Sequence, residues 1–210
     1  MSGERRTYTL RKRARAAEQT RLRIIRATRE LLSRASYHSV SLDEIAERAG
    51  VSRQTIYVHF GSKRGVLQAL AEHIERESYG RGMLEGAREV ESPIHTIYNG
   101  IADQMKFFSN NWPLLRNFEA QAAHDPDFRA VWQDRLQERW NAIRWLLEAV
   151  ATDGHIAEGW SLDEATDWLW SLTNFRLYDE LVLQRGWSLE RLTTRIRQAI
   201  DALLPASLDP

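Results

Sequence analysis

Apolar residues recur at helical spacing along most of the chain, and no stretch shows the strict alternation that marks a half-buried strand. From Ala16 to about Ser33, the residues Leu22, Ile25, Leu31 and Leu32 return with Ala17 and Ala27, which predicts an amphipathic helix with arginines on its outer face. Ser41, followed three residues on by Glu44, predicts a capping box that opens a short helix with Leu42, Ile45, Ala46 and Ala49 on its buried side. Gly50 supplies the left-handed turn that ends this helix, and Val51 fills the angle before the next. Ser52 then acts as N-cap. Ile56 and Phe60, at i and i+4, face the core, and Arg53, Gln54, Thr55, Tyr57 and His59 are left on the remaining surface. Gly61 breaks that helix, and Ser62 caps a connecting helix through Val66, Leu67, Leu70 and Ile74.

Gly80 to Ser92 reads as a loop or frayed helix end at the boundary between modules. Ser92-Pro93 opens the next helix, Asn111-Trp112-Pro113 punctuates it into a second, and Asp125-Pro126 starts a long third that ends at Asp153-Gly154. Ser161 with Glu164 makes another capping box, for a helix of more than twenty residues; Gly186 stops it and Ser188 caps the last one. The expected fold is all-α with about nine helices and no internal repeat. Residues 1–15 are expected as a flexible basic arm, 16–62 as a helix-turn-helix domain and 63–210 as a second helical domain.

Charge sharpens this division. The chain is formally neutral, with 29 Lys and Arg against 29 Asp and Glu, yet residues 1–75 carry a net +7 and residues 76–210 a net −7. A basic module joined to an acidic one points to nucleic acid as the partner of the first. The arm, with Arg5, Arg6, Arg11, Lys12, Arg13 and Arg15, either solubilises the chain or reaches along phosphates or into a minor groove. No cysteine is present, no apolar run is long enough to span a bilayer, and no leader pattern follows Met1, so a cytoplasmic protein is expected. The six histidines, His38, His59, His73, His95, His124 and His155, are dispersed without metal-ligand spacing, and no glycine-rich phosphate loop occurs. No catalytic residue, metal or cofactor is therefore expected.

The helix opened by Ser52 has the chemistry of a base reader. Arg can grip guanine O6 and N7 with two donors, and Gln can do the same for adenine N6 and N7. Arg53 and Gln54 stand where such a helix enters the major groove, with Thr55 available to a base edge or a thymine methyl. Tyr57, His59 and Lys63 stand where phosphate contacts fix the register, Lys63 in the first turn of a helix whose free N–H groups attract phosphate. With the capping Ser41, the candidate DNA contacts are Ser41, Ser52, Arg53, Gln54, Thr55, Tyr57, His59 and Lys63.

The eight tryptophans all lie beyond residue 110. Aromatic residues at helical spacing are usually core. In the helix after Ser161, however, Trp168, Leu169, Trp170, Leu172, Phe175, Leu177, Tyr178, Leu181 and Val182 cover most of the circumference, so it is expected to pack on its own core and on a partner chain. Leu192, Ile196, Ile200 and Leu203 of the last helix are expected to complete that interface. Gln104, Phe107, Phe108, Trp112, Trp170, Asn174 and Tyr178 are candidates for an apolar ligand pocket with a few polar handles, with Asn174 alternatively bonding a backbone or cross-dimer partner.

Ile45-Ala46, Ala49-Gly50-Val51-Ser52, Thr55-Ile56-Tyr57, His59-Phe60 and Ser62-Lys63 resemble, at matching spacing over residues 16–70, the DNA-binding signature of the tetracycline-repressor (TetR) family. That resemblance implies a one-component transcriptional regulator, usually a repressor. It implies a homodimer that grips a palindromic double-stranded operator and is released by a small-molecule effector enclosed in the C-terminal helices. It also implies base reading by residues from Ser52 to Thr55 and phosphate contacts by Tyr57, His59 and Lys63. An activator, a ligand-independent repressor, or a helical enzyme or carrier keeping the motif are the alternatives. The chain departs from the family pattern at Ser36 before Tyr37, at Gln54 where a small residue is common, and at Arg64 where an acidic one is common.

Overall fold

The computed structural model describes residues 2–35, 39–79, 92–152 and 156–205, and these residues contain helices and no strand. Helix α1 spans Ser2–Leu32, α2 Leu42–Ala49, α3 Arg53–Phe60, α4 Lys63–Tyr79, α5 Pro93–Ala122, α6 Pro126–Thr152, α7 Leu162–Leu172, α8 Phe175–Tyr178 and α9 Leu189–Leu203. A π-helical turn, Asp179–Gln184, continues α8. The loop expected between Gly80 and Ser92, the helix end at Asp153-Gly154, and Ser36, Tyr37, His38 and His155 fall wholly or largely outside the described residues.

The chain divides into two compact units. One comprises residues 1–74 and 116–132, the other 75–115 and 133–210. The first unit is therefore larger than the expected domain of residues 16–62: it takes in the start of α4 and the α5–α6 corner. Its core is built by Ile24, Leu32, Ile45, Ile56, Leu67 and Leu70, each at most 1% exposed, with Phe118 and Phe128 edge to face at 4.8 Å. The side-chain amide of Asn117 donates to the carbonyls of Leu32 (2.5 Å) and Ala35 (3.0 Å), supplying donors at the C-terminal end of α1, where a helix leaves its last carbonyls open.

Three expectations about element bounds change. Residues 2–15, expected as a flexible arm, continue α1 back to Ser2, in keeping with the helix-favouring arginines, Lys12, Leu10 and Ala14 of that stretch. Pro113 does not end a helix; α5 runs through it as one 30-residue element. An interior proline costs about 3 kcal/mol, and the buried Phe108 and Leu114 on either side contribute about 1.5–3 kcal/mol each when kept in register. The packing wins. The long helix expected after Ser161 instead breaks at Thr173-Asn174. There Arg139, buried within the second unit, donates to the Trp170 carbonyl (3.0 Å), the Thr173 carbonyl (3.0 Å) and the Thr173 hydroxyl (2.8 Å), while Asn174 turns extended and caps α8 by accepting from the Arg176 N–H at 2.9 Å. Asn174 thus has the backbone partner that was the alternative to a ligand.

The second unit packs α9 through Leu192, Ile196, Ile200 and Leu203, all at most 2% exposed. This stripe, expected to meet a second chain, is spent on the unit's own core. Periodicity tells which face of a helix is buried, not what buries it.

Candidate nucleic-acid interface

The α2–turn–α3 segment is held by local bonds that its sequence encodes. The Ser41 N–H donates to Glu44 Oε2 at 2.6 Å and the Glu44 N–H donates back to Ser41 Oγ at 3.1 Å, closing the capping box. The Ser41 N–H and then the Ser41 hydroxyl, which donates to the same Oε2 at 2.9 Å, hold the Glu44 carboxyl below its ordinary range, with a smaller influence of Lys63. Gly50 adopts φ 64° and ψ 44°, and the Val51 N–H reaches the Ala46 carbonyl at 3.0 Å, so the chain reverses within one left-handed residue. Ser52 Oγ accepts from the Thr55 N–H at 3.1 Å and starts α3.

Ile56, wholly buried, fixes one side of α3. From α1, Arg21 donates to the His59 carbonyl at 3.2 Å and lies over the Phe60 ring at 4.6 Å, clamping the C-terminal end. Gly65 of α4 comes so close that a Cβ there would stand 2.0 Å from the Phe60 carbonyl oxygen. Arg21 and Gly65 thus fix the C-terminal end of α3 from helices outside it.

What α3 presents is Arg53, Gln54, Tyr57 and Val58, all exposed. Arg53 is tied on two sides: Nη1 donates to Asp43 Oδ2 of α2 at 2.9 Å and Nη2 donates to the Tyr57 hydroxyl at 3.3 Å. The Tyr57 bond, then the Asp43 charge, raise the pKa of a group that is already always protonated. Thr55, expected at a base edge, is half-buried and shares a 2.9 Å hydroxyl contact with Ser52. His59 is half-buried, and Lys63, in the first turn of α4, is half-buried with Asp125, Glu44 and Asp127 acting on it. Burial lowers the Lys63 pKa, and the three carboxylates oppose that shift. Arg21, Asp43, Val58 and Gly65 were not among the sequence candidates. Asp43 and Arg53 lie on different helices ten residues apart, and only the turn geometry joins them.

The pocket candidates separate into two places within the second unit. Phe107, Phe108, Trp112 and Tyr178 form with Phe175 an aromatic cluster, with ring centroids 5.8–6.4 Å apart, and Gln104 is buried. Trp170 instead lies beneath the Arg139 guanidinium at 4.9 Å, and its indole Nε1–H is buried without an acceptor. Among the described residues no helix is long and apolar enough to cross a membrane.

Residues 24–70 match the model of bacterial regulatory proteins of the tetR family. The chain is 47% identical over 60 residues to the HTH-type transcriptional regulator SrpR of Pseudomonas putida, covering 29% of this chain and 28% of that one. It is 32% identical over 83 residues to the HTH-type transcriptional regulator UidR of Escherichia coli K12, covering 39% and 42%. The likeness thus spans less than half the length of either relative. Solved structures share the fold over nearly the whole chain: GusR of Salmonella enterica (TM-score 0.69, 18% identity, 89% of this chain and 95% of that one), NalD of Pseudomonas aeruginosa, the secondary repressor of the MexAB-OprM multidrug efflux pump (0.68, 17%, 90% and 98%), and FadR of Bacillus subtilis in complex with stearoyl-CoA (0.65, 20%, 83% and 94%).

Proposed function

We propose that this chain, which belongs through its N-terminal domain to the tetR family of bacterial regulatory proteins, is a sequence-specific DNA-binding transcriptional regulator that represses until a small molecule releases it. The observation that carries this reading is α3: a capped, clamped helix with Arg53, Gln54 and Tyr57 open on one face, of the size a major groove admits. Arg53 and Gln54 would read bases and Tyr57 would hold the backbone. Ser41 and Ser52 shape the caps that aim them. His59 and Lys63, both half-buried, would reach phosphate from the edge of the face.

Reading a palindromic operator takes two copies. Outside α3, the exposed large apolar side chains among the described residues are Trp160, Trp168 and Leu183, which lie just before α7, within α7 and in the π-helical turn that continues α8. With the α9 stripe buried in its own unit, these supply the apolar centre of a homodimer face. An apolar or aromatic effector would enter by parting the cluster of Phe108, Trp112, Phe175 and Tyr178; FadR, solved with stearoyl-CoA, offers a precedent for a ligand rich in apolar surface. Since α4 and α5 carry the chain from one unit into the other, ligand binding would shift the population of reading-helix spacings.

The test is selection from a random duplex pool by the full chain, followed by gel shifts at several salt concentrations. Enrichment of a palindrome, with affinity falling steeply with salt and lost in R53A, is the expected result. Binding without sequence preference would overturn the proposal. Sedimentation of W168E/L183E tests the dimer: a monomer with weakened operator binding is expected, and an unchanged dimer would place the interface elsewhere.

A further inference from the structure

Among the exposed large apolar side chains of the described residues, Val58 stands out at 75% exposure, against 38–47% for the others. It sits in the middle of the last turn of α3. At 100° per residue the open face of α3 has two edges: Arg53 and Tyr57 stand one turn apart along the first, Gln54 and Val58 one turn apart along the second. The first edge is already linked, Arg53 to Tyr57 and Asp43. The second consists of an exposed amide and an exposed isopropyl group.

A valine offers neither donor nor acceptor, so it can gain nothing from a phosphate oxygen or from the polar edge of a base. In the major groove its favourable partner is the 5-methyl group of thymine, the apolar feature that tells T·A from C·G. Its neighbour Gln54 is the side chain that can pair with adenine N6 and N7. We propose that Val58 is a specificity-determining residue that packs its methyls on a thymine methyl, one base step from the adenine held by Gln54. The Gln54–Val58 edge would then select consecutive A·T pairs in each half-site, and Val58 would do so by shape and apolar contact rather than by hydrogen bonding. The inference rests on α3 being the base-facing helix.

The experiment starts from the duplex that the wild-type chain selects from a random pool. Each thymine of a half-site is replaced in turn by deoxyuridine, which keeps every hydrogen-bonding group and removes the methyl. At one thymine per half-site, wild-type affinity should fall about fourfold, the change expected for one methyl returned to water. V58A should bind the unmodified duplex more weakly by a similar factor and should be indifferent to deoxyuridine at that position alone. Because Val58 is exposed, thermal unfolding of V58A should match wild type. Equal sensitivity of both proteins to deoxyuridine at every position, or an unchanged selected sequence with V58A, overturns the role of Val58 while leaving DNA reading by α3 intact. A wild-type chain that selects no sequence overturns both.

Discussion

Arg139→Ala should be among the most damaging single changes in the second unit. The side chain is 7% exposed, its guanidinium makes three hydrogen bonds to Trp170 and Thr173, and it stacks on the Trp170 ring. A hydrogen bond from a charged donor contributes about 1.5–3 kcal/mol. The three share one side chain, and removing it also relieves the desolvation of a buried cation, so they do not add. The acceptors left behind dominate: with two carbonyls at the end of α7 losing a donor, and a buried acceptor left unpaired costing about 1–3 kcal/mol, a net loss of about 3 kcal/mol is expected. For a chain of this length that corresponds to a fall in Tm of about 6–12 °C. Urea unfolding and calorimetry at fixed protein concentration measure it. Arg139→Lys makes the account specific, because one ammonium cannot face all three acceptors in the fork geometry of a guanidinium; it should recover less than half the loss. A change within about 0.5 kcal/mol for Arg139→Ala, the level of an ordinary surface substitution, would refute the view that this arginine ends α7.

Gly65→Ala would gain about 1 kcal/mol from helix propensity in the open, but its Cβ would meet the Phe60 carbonyl at 2.0 Å, and overpacking costs about 1–3 kcal/mol; lower stability and weaker operator binding are expected together in melts and gel shifts, and a stabilised variant would contradict the close approach. Gly50→Ala places a Cβ at φ 64° and should cost about 1–2 kcal/mol in denaturant unfolding; no loss would show that the turn relaxes. Glu44 is held below its ordinary value of 4.5, so its contribution is complete above that value and disappears as pH falls through the lowered one. Melting temperature should therefore drop more steeply on acidification in wild type than in E44Q, and parallel profiles would argue against the capping box as the cause.

How much of this was legible in the sequence depended on the distance over which each interaction acts. The capping boxes at Ser41–Glu44 and Ser161–Glu164 join residues three apart, and the left-handed turn needs one glycine, so all were readable in order. The surface assignments of Arg53, Gln54 and Tyr57 followed from helical period alone. Pro113 misled because its local penalty is outweighed by side chains whose burial is not local. The break after Leu172 was hidden for the complementary reason: Arg139, more than thirty residues earlier, reads as one more surface arginine until its partners are known. The stripe on α9 was identified as buried, but its neighbour was misassigned. Asp43 and Val58 were overlooked in the first unit, one because its partner is on another helix, the other because an apolar side chain between Tyr57 and His59 looks like core.

The unit that carries α3 is assembled from two separate lengths of chain, 1–74 and 116–132. Cutting the polypeptide once cannot release it whole. A fragment ending after α4 would lack Asn117 at the end of α1 and the Phe118–Phe128 pair, and would expose the apolar surface they cover. Autonomy is thus denied to this unit by the route of the chain itself: during synthesis it can be completed only after residue 132 has been made, when all of α5 has already been added.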